Sequence, residues 1–291
     1  MIQTSQDRLV PASIAIPKVI QNVAKVIQFF SNKLATLFSV KLFSTPVKFP
    51  IPEREKTMWK SAQKSRLMLP DLQQEIEILT YGFSKKKVLL VHGWCGRSTQ
   101  LFMIADKLLE NGYMVISFDA PAHGNSDGKN ASMPDFIDSI QAINRKFGPF
   151  DAAVGHSLGG MSLYSAIAEG FEVKSVVSIG SGDTISGVMQ NFIKNLSLQP
   201  KIAQKLKKYY DKKHQIDIDI YSSSVQAKKV KIPALVIHDS LDGDVPVSCA
   251  YRIRQNLEKG SILITKGFGH TKILRDKNLT ARIVSFIKNN E

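Results

Sequence analysis

Apolar residues follow two different rhythms along this chain. Between residues 17 and 43, Val19, Val23, Val26, Ile27, Phe30, Leu34, Leu37 and Phe38 recur at three- and four-residue steps, the repeat that lines one face of a helix. Lys18, Lys25, Lys33 and Lys41 fall between them, so one amphipathic helix with a basic opposite face is predicted. Pro46, Pro50 and Pro52 end it, because proline lacks an N–H and clashes with the preceding turn. A short polar helix is predicted over Glu53 to Met68, ahead of Pro70.

From residue 75 short apolar runs alternate with helical patterns. Strands are predicted at Glu75 to Tyr81, Val88 to Val91, Met114 to Phe118, Phe150 to Val154, Ser175 to Ile179, Ile232 to Ile237 and Ile262 to Thr265. Helices are predicted at Thr99 to Glu110, Pro134 to Phe147, Met161 to Gly170, near Val247 to Leu257, and at Leu279 to Asn289. Strands alternating with helices imply right-handed β-α-β units and a mostly parallel sheet, an α/β fold. Residues 183 to 230 interrupt the alternation with lysine-rich helical patterns around Ile185 to Leu196 and Lys201 to Tyr210. The expected organisation is an N-terminal helical extension over 1–74, a core over 75–182 and 231–291, and a helical cap inserted at 183–230.

A chain of 291 residues can bury one large core, and a hydrophobic content of 43% is ordinary for a globular protein. Cys95 and Cys249 are too few for a disulfide framework and have no metal-site spacing, which fits a reducing, cytoplasmic compartment. Residues 1–8 lack a basic region followed by an apolar run, so no export is expected. The lysines interrupt residues 17–43 too often for a membrane span. A basic amphipathic helix can nevertheless lie on a membrane surface or bind a partner, and weak membrane association through residues 17–43 is a second reading. The net charge of +14 draws on the N-terminal region and on residues 201–231, which hold nine Lys and three Asp. No helix-turn-helix, zinc-finger or aromatic RNP signature accompanies it, so solvated lysine faces are expected and no nucleic-acid partner. Neither Gly-x-x-x-x-Gly-Lys-Ser/Thr nor His-Glu-x-x-His occurs, and no cofactor or metal is expected.

Gly-x-Ser-x-Gly occurs twice, at Gly124-Asn125-Ser126-Asp127-Gly128 and at Gly155-His156-Ser157-Leu158-Gly159. The first lies in polar loop. The second joins a strand to a helix, where a sharp turn with glycines on either side exposes a serine as a nucleophile. A serine hydroxyl needs a base to take its proton and an acid to orient that base. In parallel sheets sites form at the carboxyl ends of strands. Of the six histidines, His270 is best placed, in a glycine-flanked loop after a strand. His92, His123 and His238 suit turn roles, His156 should point away from its neighbouring serine, and His214 sits in the cap. Asp239, Asp242 and Asp244 share one loop after a strand, and composition does not rank them.

Together these residues resemble the α/β-hydrolase family. The matching pieces are His92-Gly93-Trp94, Asp119-x-Pro-x-His-Gly-x-Ser126, Gly155-x-Ser-x-Gly159, Asp242-x-x-Val-Pro246 and Gly269-His270, in the family's order of serine, acid and histidine. The resemblance runs from about residue 75 to the C-terminus, without the cap. It implies Ser157 as nucleophile, Asp242 as acid and His270 as base, with Asp239 and Asp244 as fallbacks. It also implies an oxyanion hole from the backbone N–H groups of Leu158 and Trp94. Ala122 stands where the family often has glycine, and residues 1–74 match no general family element. A serine esterase acting on a small acyl or ester substrate is the expected function; peptidase, thioesterase, C–C hydrolase and cofactor-free haloperoxidase chemistry are alternatives on the same fold. Trp94, Phe268, Met189 and Phe192, with Tyr209, are expected to line an acyl pocket or to pack the cap onto the core.

Overall fold

The N-terminal apolar repeat forms two helices, α1 (Lys18–Phe30) and α2 (Asn32–Ser44), in a computed structural model that describes residues 9–13 and 15–291. Residues 1–8, where no export signal was expected, lie outside the described residues. One continuous helix was predicted. Ser31 breaks it by adopting extended backbone (φ −158°, ψ 118°) and accepting the Leu34 N–H on its Oγ at 3.3 Å, the role for which serine is favoured at a helix start.

A short helix α3 (Lys56–Ser61) then leads into β1 (Gln63–Leu69), which pairs antiparallel with β2 (Gln74–Tyr81). The helix predicted to reach Met68 therefore stops at Ser61, and the sheet begins inside the expected extension rather than at residue 75. Ser65, Leu67 and Leu69 face inward while Lys64, Arg66 and Met68 face solvent, the two-residue period of a strand. The order continues with β3 (Lys87–Val91), α4 (Phe102–Glu110), β4 (Met114–Phe118), α5 (Met133–Phe147), β5 (Phe150–His156), α6 (Leu158–Ala168) and β6 (Val173–Ile179). Helices α7 (Ile185–Asn195), α8 (Pro200–His214) and α9 (Ser223–Gln226) follow, then β7 (Ala234–Asp239), α10 (Ser248–Asn256), β8 (Gly260–Thr265), α11 (Gly269–Lys272) and α12 (Lys277–Lys288).

The strands form one sheet in the order β1-β2-β4-β3-β5-β6-β7-β8, antiparallel at β1, β2 and β4 and parallel from β4 onward. Alternate strand residues feed two cores. Leu89, Ile116, Ala153 and Val176 pack with Phe136, Ile140 and Tyr164 on one face; Val88, Leu90, Val154 and Val177 pack with Ile104, Ile283 and Ile287 on the other.

A third cluster lies away from the sheet. Ala24 of α1 and Ala35 of α2 are buried with Met189, Ile193, Ile202 and Leu206 of α7 and α8, so the N-terminal helices pack on the helices inserted between β6 and β7. Ile193, Ile202 and Leu206 are at most 1% exposed, and burying each such side chain contributes about 1.5–3 kcal/mol.

Candidate active site

Three loops at the carboxyl ends of β5, β7 and β8 converge on one point. At the end of β5, Ser157 has φ 52° and ψ −118°, a strained left-handed backbone for a residue with a side chain. The surrounding glycines make this turn possible. A β-carbon on Gly155 would come within 2.6 Å of the Gly159 carbonyl carbon and the Gly160 nitrogen, and one on Gly159 would overlap the carbonyl oxygens of Val91 and His92. The Ser157 N–H donates to the Ile179 carbonyl at 2.8 Å, which ties the turn to β6.

The second Gly-x-Ser-x-Gly serine is placed quite differently. Ser126 is 3% exposed; its hydroxyl donates to the Asp119 carbonyl at 2.5 Å and accepts the Glu77 N–H at 2.8 Å. Its oxygen is committed to holding loops together. Ala122, in the same loop, has φ 63°, which explains why glycine suits that position.

His270 sits at the start of α11, with Nε2 3.0 Å from Ser157 Oγ and Nδ1 2.7 Å from Asp242 Oδ2. The Ser157 O–H can donate to Nε2 while Nδ1–H donates to the carboxylate. Asp242 Oδ1 accepts the N–H groups of Asp244 and Val245 at 2.8 and 2.9 Å, which fixes the direction of the free oxygen. Burial alone would lower the His270 pKa, but the hydrogen bond and charge of Asp242, helped by Asp244, outweigh it and raise the value above 6.5. Burial pushes the Asp242 carboxyl up, whereas its hydrogen bond with His270 and that ring's charge hold it below the usual carboxylate value.

The other two aspartates have different partners. Asp239 accepts from Thr265 Oγ1 at 2.8 Å, from the N–H of Phe268 at 3.0 Å and from the N–H of Gly267 at 3.1 Å, so it shapes the loop that carries His270. Asp244 accepts the Ser13 N–H at 2.8 Å. Asp242, Asp244 and His270 bring three ligand-type atoms within 4.8 Å of one another, but each of these atoms already has a protein partner.

His156, His92 and His238 brace the loops. His156, below Ser157, donates from Nε2 to the His270 carbonyl at 2.9 Å, and burial followed by the nearby His270 charge lowers its pKa to about 3. Buried His92 accepts the Ala120 N–H on Nε2 at 3.0 Å and donates to the Gly93 carbonyl, its pKa lowered to about 4 by burial. His238 donates to the Val245 carbonyl at 2.9 Å. Gly93 passes so close to the elbow that a β-carbon there would stand 2.9 Å from His156 Nδ1 and 3.0 Å from Ser157 Cβ. That approach brings the Trp94 loop beside Ser157. The Leu158 N–H opens α6, where the helix offers no acceptor, and among the described residues neither it nor the Trp94 N–H has a hydrogen-bond partner.

Beside Ser157 lies an apolar cavity of about 270 Å³, lined by Trp94, Met161, Val188, Met189, Phe192 and Tyr210 among others. Phe43 of α2 also reaches it, a contribution from the N-terminal helices that the sequence pattern did not reveal. Phe268 is absent from the lining, since its ring packs with the core on the α4 and α12 face of the sheet. Tyr209 is absent too; it is 38% exposed, and its neighbour Tyr210 points inward instead.

The fold has known counterparts. Residues 86–215 match the family model described as the alpha/beta hydrolase fold. An esterase of Pyrococcus furiosus superposes with a TM-score of 0.65 at 16% identity, over 84% of this chain and 96% of that one. The chain has the alpha/beta hydrolase fold. The same hydrolase fold is seen in an esterase from Exiguobacterium antarcticum (TM-score 0.62, 16% identity, 78% of this chain and 100% of that one) and in a bromoperoxidase from Bacillus anthracis (TM-score 0.62, 17% identity, 78% and 100%). In sequence, it is 31% identical over 140 residues to an Escherichia coli protein known as the uncharacterized 31.7 kDa protein in the traX-finO intergenic region. That match takes in 41% of this chain and 48% of the relative, about half its length.

Proposed function

We propose that this chain is a serine hydrolase that cleaves a carboxylic ester or related acyl compound. The observation that carries the reading is the unbroken hydrogen-bond chain from Ser157 through His270 to Asp242, at the mouth of an apolar cavity. Ser157 Oγ attacks the carbonyl carbon while His270 Nε2 takes its proton, and Asp242 stabilises the imidazolium that forms. The carbonyl oxygen, now an oxyanion, meets the N–H groups of Leu158 and Trp94. One such donor is worth about 10²–10³ in rate. The leaving alkoxide then takes the proton from His270, and the acyl group remains on Ser157. Water, deprotonated by the same nitrogen, attacks the acyl enzyme; the acyl C–Oγ bond breaks, His270 returns the proton to Ser157 Oγ, and the carboxylic acid leaves.

The cavity wall supports an acyl substrate over a peptide, because Met161, Val188, Met189 and Phe192 offer apolar surface and few hydrogen-bonding groups. The bromoperoxidase likeness shows that the fold alone does not choose the reaction. Cys95 and Cys249, both buried and free, fit a reducing compartment such as the cytoplasm. The reading is tested by assaying the chain on p-nitrophenyl esters, acyl thioesters and peptide anilides. Ester turnover that disappears in His270→Ala is expected; turnover of the anilides alone would replace an esterase with a peptidase.

A further inference from the structure

We propose that α1 and α2 dock this protein on the surface of an anionic bilayer. Helix α1 packs on the molecule through only part of its apolar face: Ala24 is fully buried, and Ile20 and Ile27 are partly so. The neighbouring stripe, Val19, Val23, Val26 and Phe30, recurs at helical spacing and is 73%, 44%, 58% and 78% exposed. Phe29 beside it is 84% exposed, and Leu34 and Leu37 continue the exposed apolar surface onto α2. So many large apolar side chains on two successive helices mark an interaction surface rather than ordinary scatter.

Charge selects the occupant. Lys18, Lys25, Lys33 and Lys41 are all exposed on the same two helices, and among the described residues none of them forms an ion pair. No Asp or Glu occurs between Asp7 and Glu53. A second copy meeting this surface about a two-fold axis would bring two basic surfaces together with no acidic residue of either segment between them, whereas anionic headgroups complement the lysines. Among the described residues no helix is long and apolar enough to cross a membrane. The pair therefore lies in the interface plane, apolar stripe in the acyl boundary and lysines at the headgroups. Helix α2 also delivers Phe43 to the cavity beside Ser157, so one helix joins the docked face to the candidate site.

The test is co-sedimentation of the full chain with vesicles of phosphatidylcholine alone and of phosphatidylcholine mixed with phosphatidylglycerol. Wild type is expected to pellet with the mixed vesicles and to be released by high salt. Binding should weaken roughly tenfold or more in Val23→Glu/Phe30→Glu, which loses apolar burial, and in Lys18→Glu/Lys25→Glu, which loses headgroup attraction. Thermal melts establish that each variant is folded, and the milder Phe30→Ser serves if the double variant is not. Three results would overturn the proposal: wild type remaining in the supernatant, binding unchanged in the folded variants, or a vesicle-free dimer that Val23→Glu/Phe30→Glu converts to monomer.

Discussion

Gly180 faces His270 with no side chain between them: a β-carbon on Gly180 would stand 3.2 Å from His270 Nδ1 and 3.6 Å from Asp242 Oδ2. Gly180 follows β6, which contributes no residue to the hydrogen-bond chain, and it has φ 61°. No sequence motif marks it.

Gly180→Ala is accordingly expected to act on the reaction more than on the fold. The left-handed backbone costs an alanine about 1–2 kcal/mol. A methyl group against Nδ1 displaces the ring from its line between Asp242 and Ser157, and a displacement near 1 Å can cost on the order of 10² in rate. Steady-state ester kinetics and a thermal melt on the same sample separate the two effects.

The three loop aspartates should separate in the same assay. Asp242→Asn keeps the shape but removes the charge that orients His270, and a fall of about 10⁴ in kcat is expected by analogy with such pairs. Asp244→Ala, whose carboxylate holds Ser13, should stay within about tenfold of wild type. Asp239→Asn disturbs the loop bonds to Thr265, Gly267 and Phe268, so its clearest effect should be a lower Tm.

Acidity should follow His270. The ring must be neutral to accept the Ser157 proton, and its pKa is raised above 6.5. The kcat/KM profile should therefore fall as pH drops through a value above 6.5 and level off at higher pH. In Asp242→Asn the burial that lowers the pKa remains while the partner that raises it is gone, so the acid limb of the residual activity should move to lower pH. The same pairing has a stability counterpart with opposite edges. The His270 contribution is lost as pH rises through its raised pKa, and the Asp242 contribution is lost as pH falls below the ordinary carboxylate value of 3.8 toward its lowered one.

Cavity shape should set chain-length preference. Val188→Trp places a large ring against the space beside Ser157. The ratio of kcat/KM for medium over short acyl esters is expected to drop by roughly tenfold or more, since each methylene held in an apolar pocket is worth about 1–3 kcal/mol. An unchanged ratio would place the acyl chain elsewhere.

The sheet was legible where strands are buried on both faces. Val88 to Val91, Met114 to Phe118 and Ser175 to Ile179 read as strands because they are short, largely apolar runs that recur between helical patterns. β1 was not, because as an edge strand with Lys64, Arg66 and Met68 in solvent it reads as polar and resembles a surface helix. The break at Ser31 was missed because the apolar repeat continues across it, and only the serine cap marks it. At the site, Ser157 and His270 were readable from loops after strands, whereas Asp242 was set apart from Asp239 and Asp244 only by the family resemblance; the structure brings the three side chains within hydrogen-bonding distance. The cavity was less legible. Phe43 lies over a hundred residues from Ser157, Phe268 turns to the opposite face, and the choice between Tyr209 and Tyr210 depends on the phase at which α8 packs.

In the proposed mechanism Ser157, not Ser126, is the nucleophile activated by His270. A fluorophosphonate probe followed by intact mass and peptide mapping measures this directly. The expected result is one covalent adduct on the wild type, mapped to Ser157, unchanged labelling in Ser126→Ala, strongly slowed labelling in His270→Ala and none in Ser157→Ala. An adduct that persists in Ser157→Ala, or that maps to Ser126, would rule out Ser157 as the nucleophile.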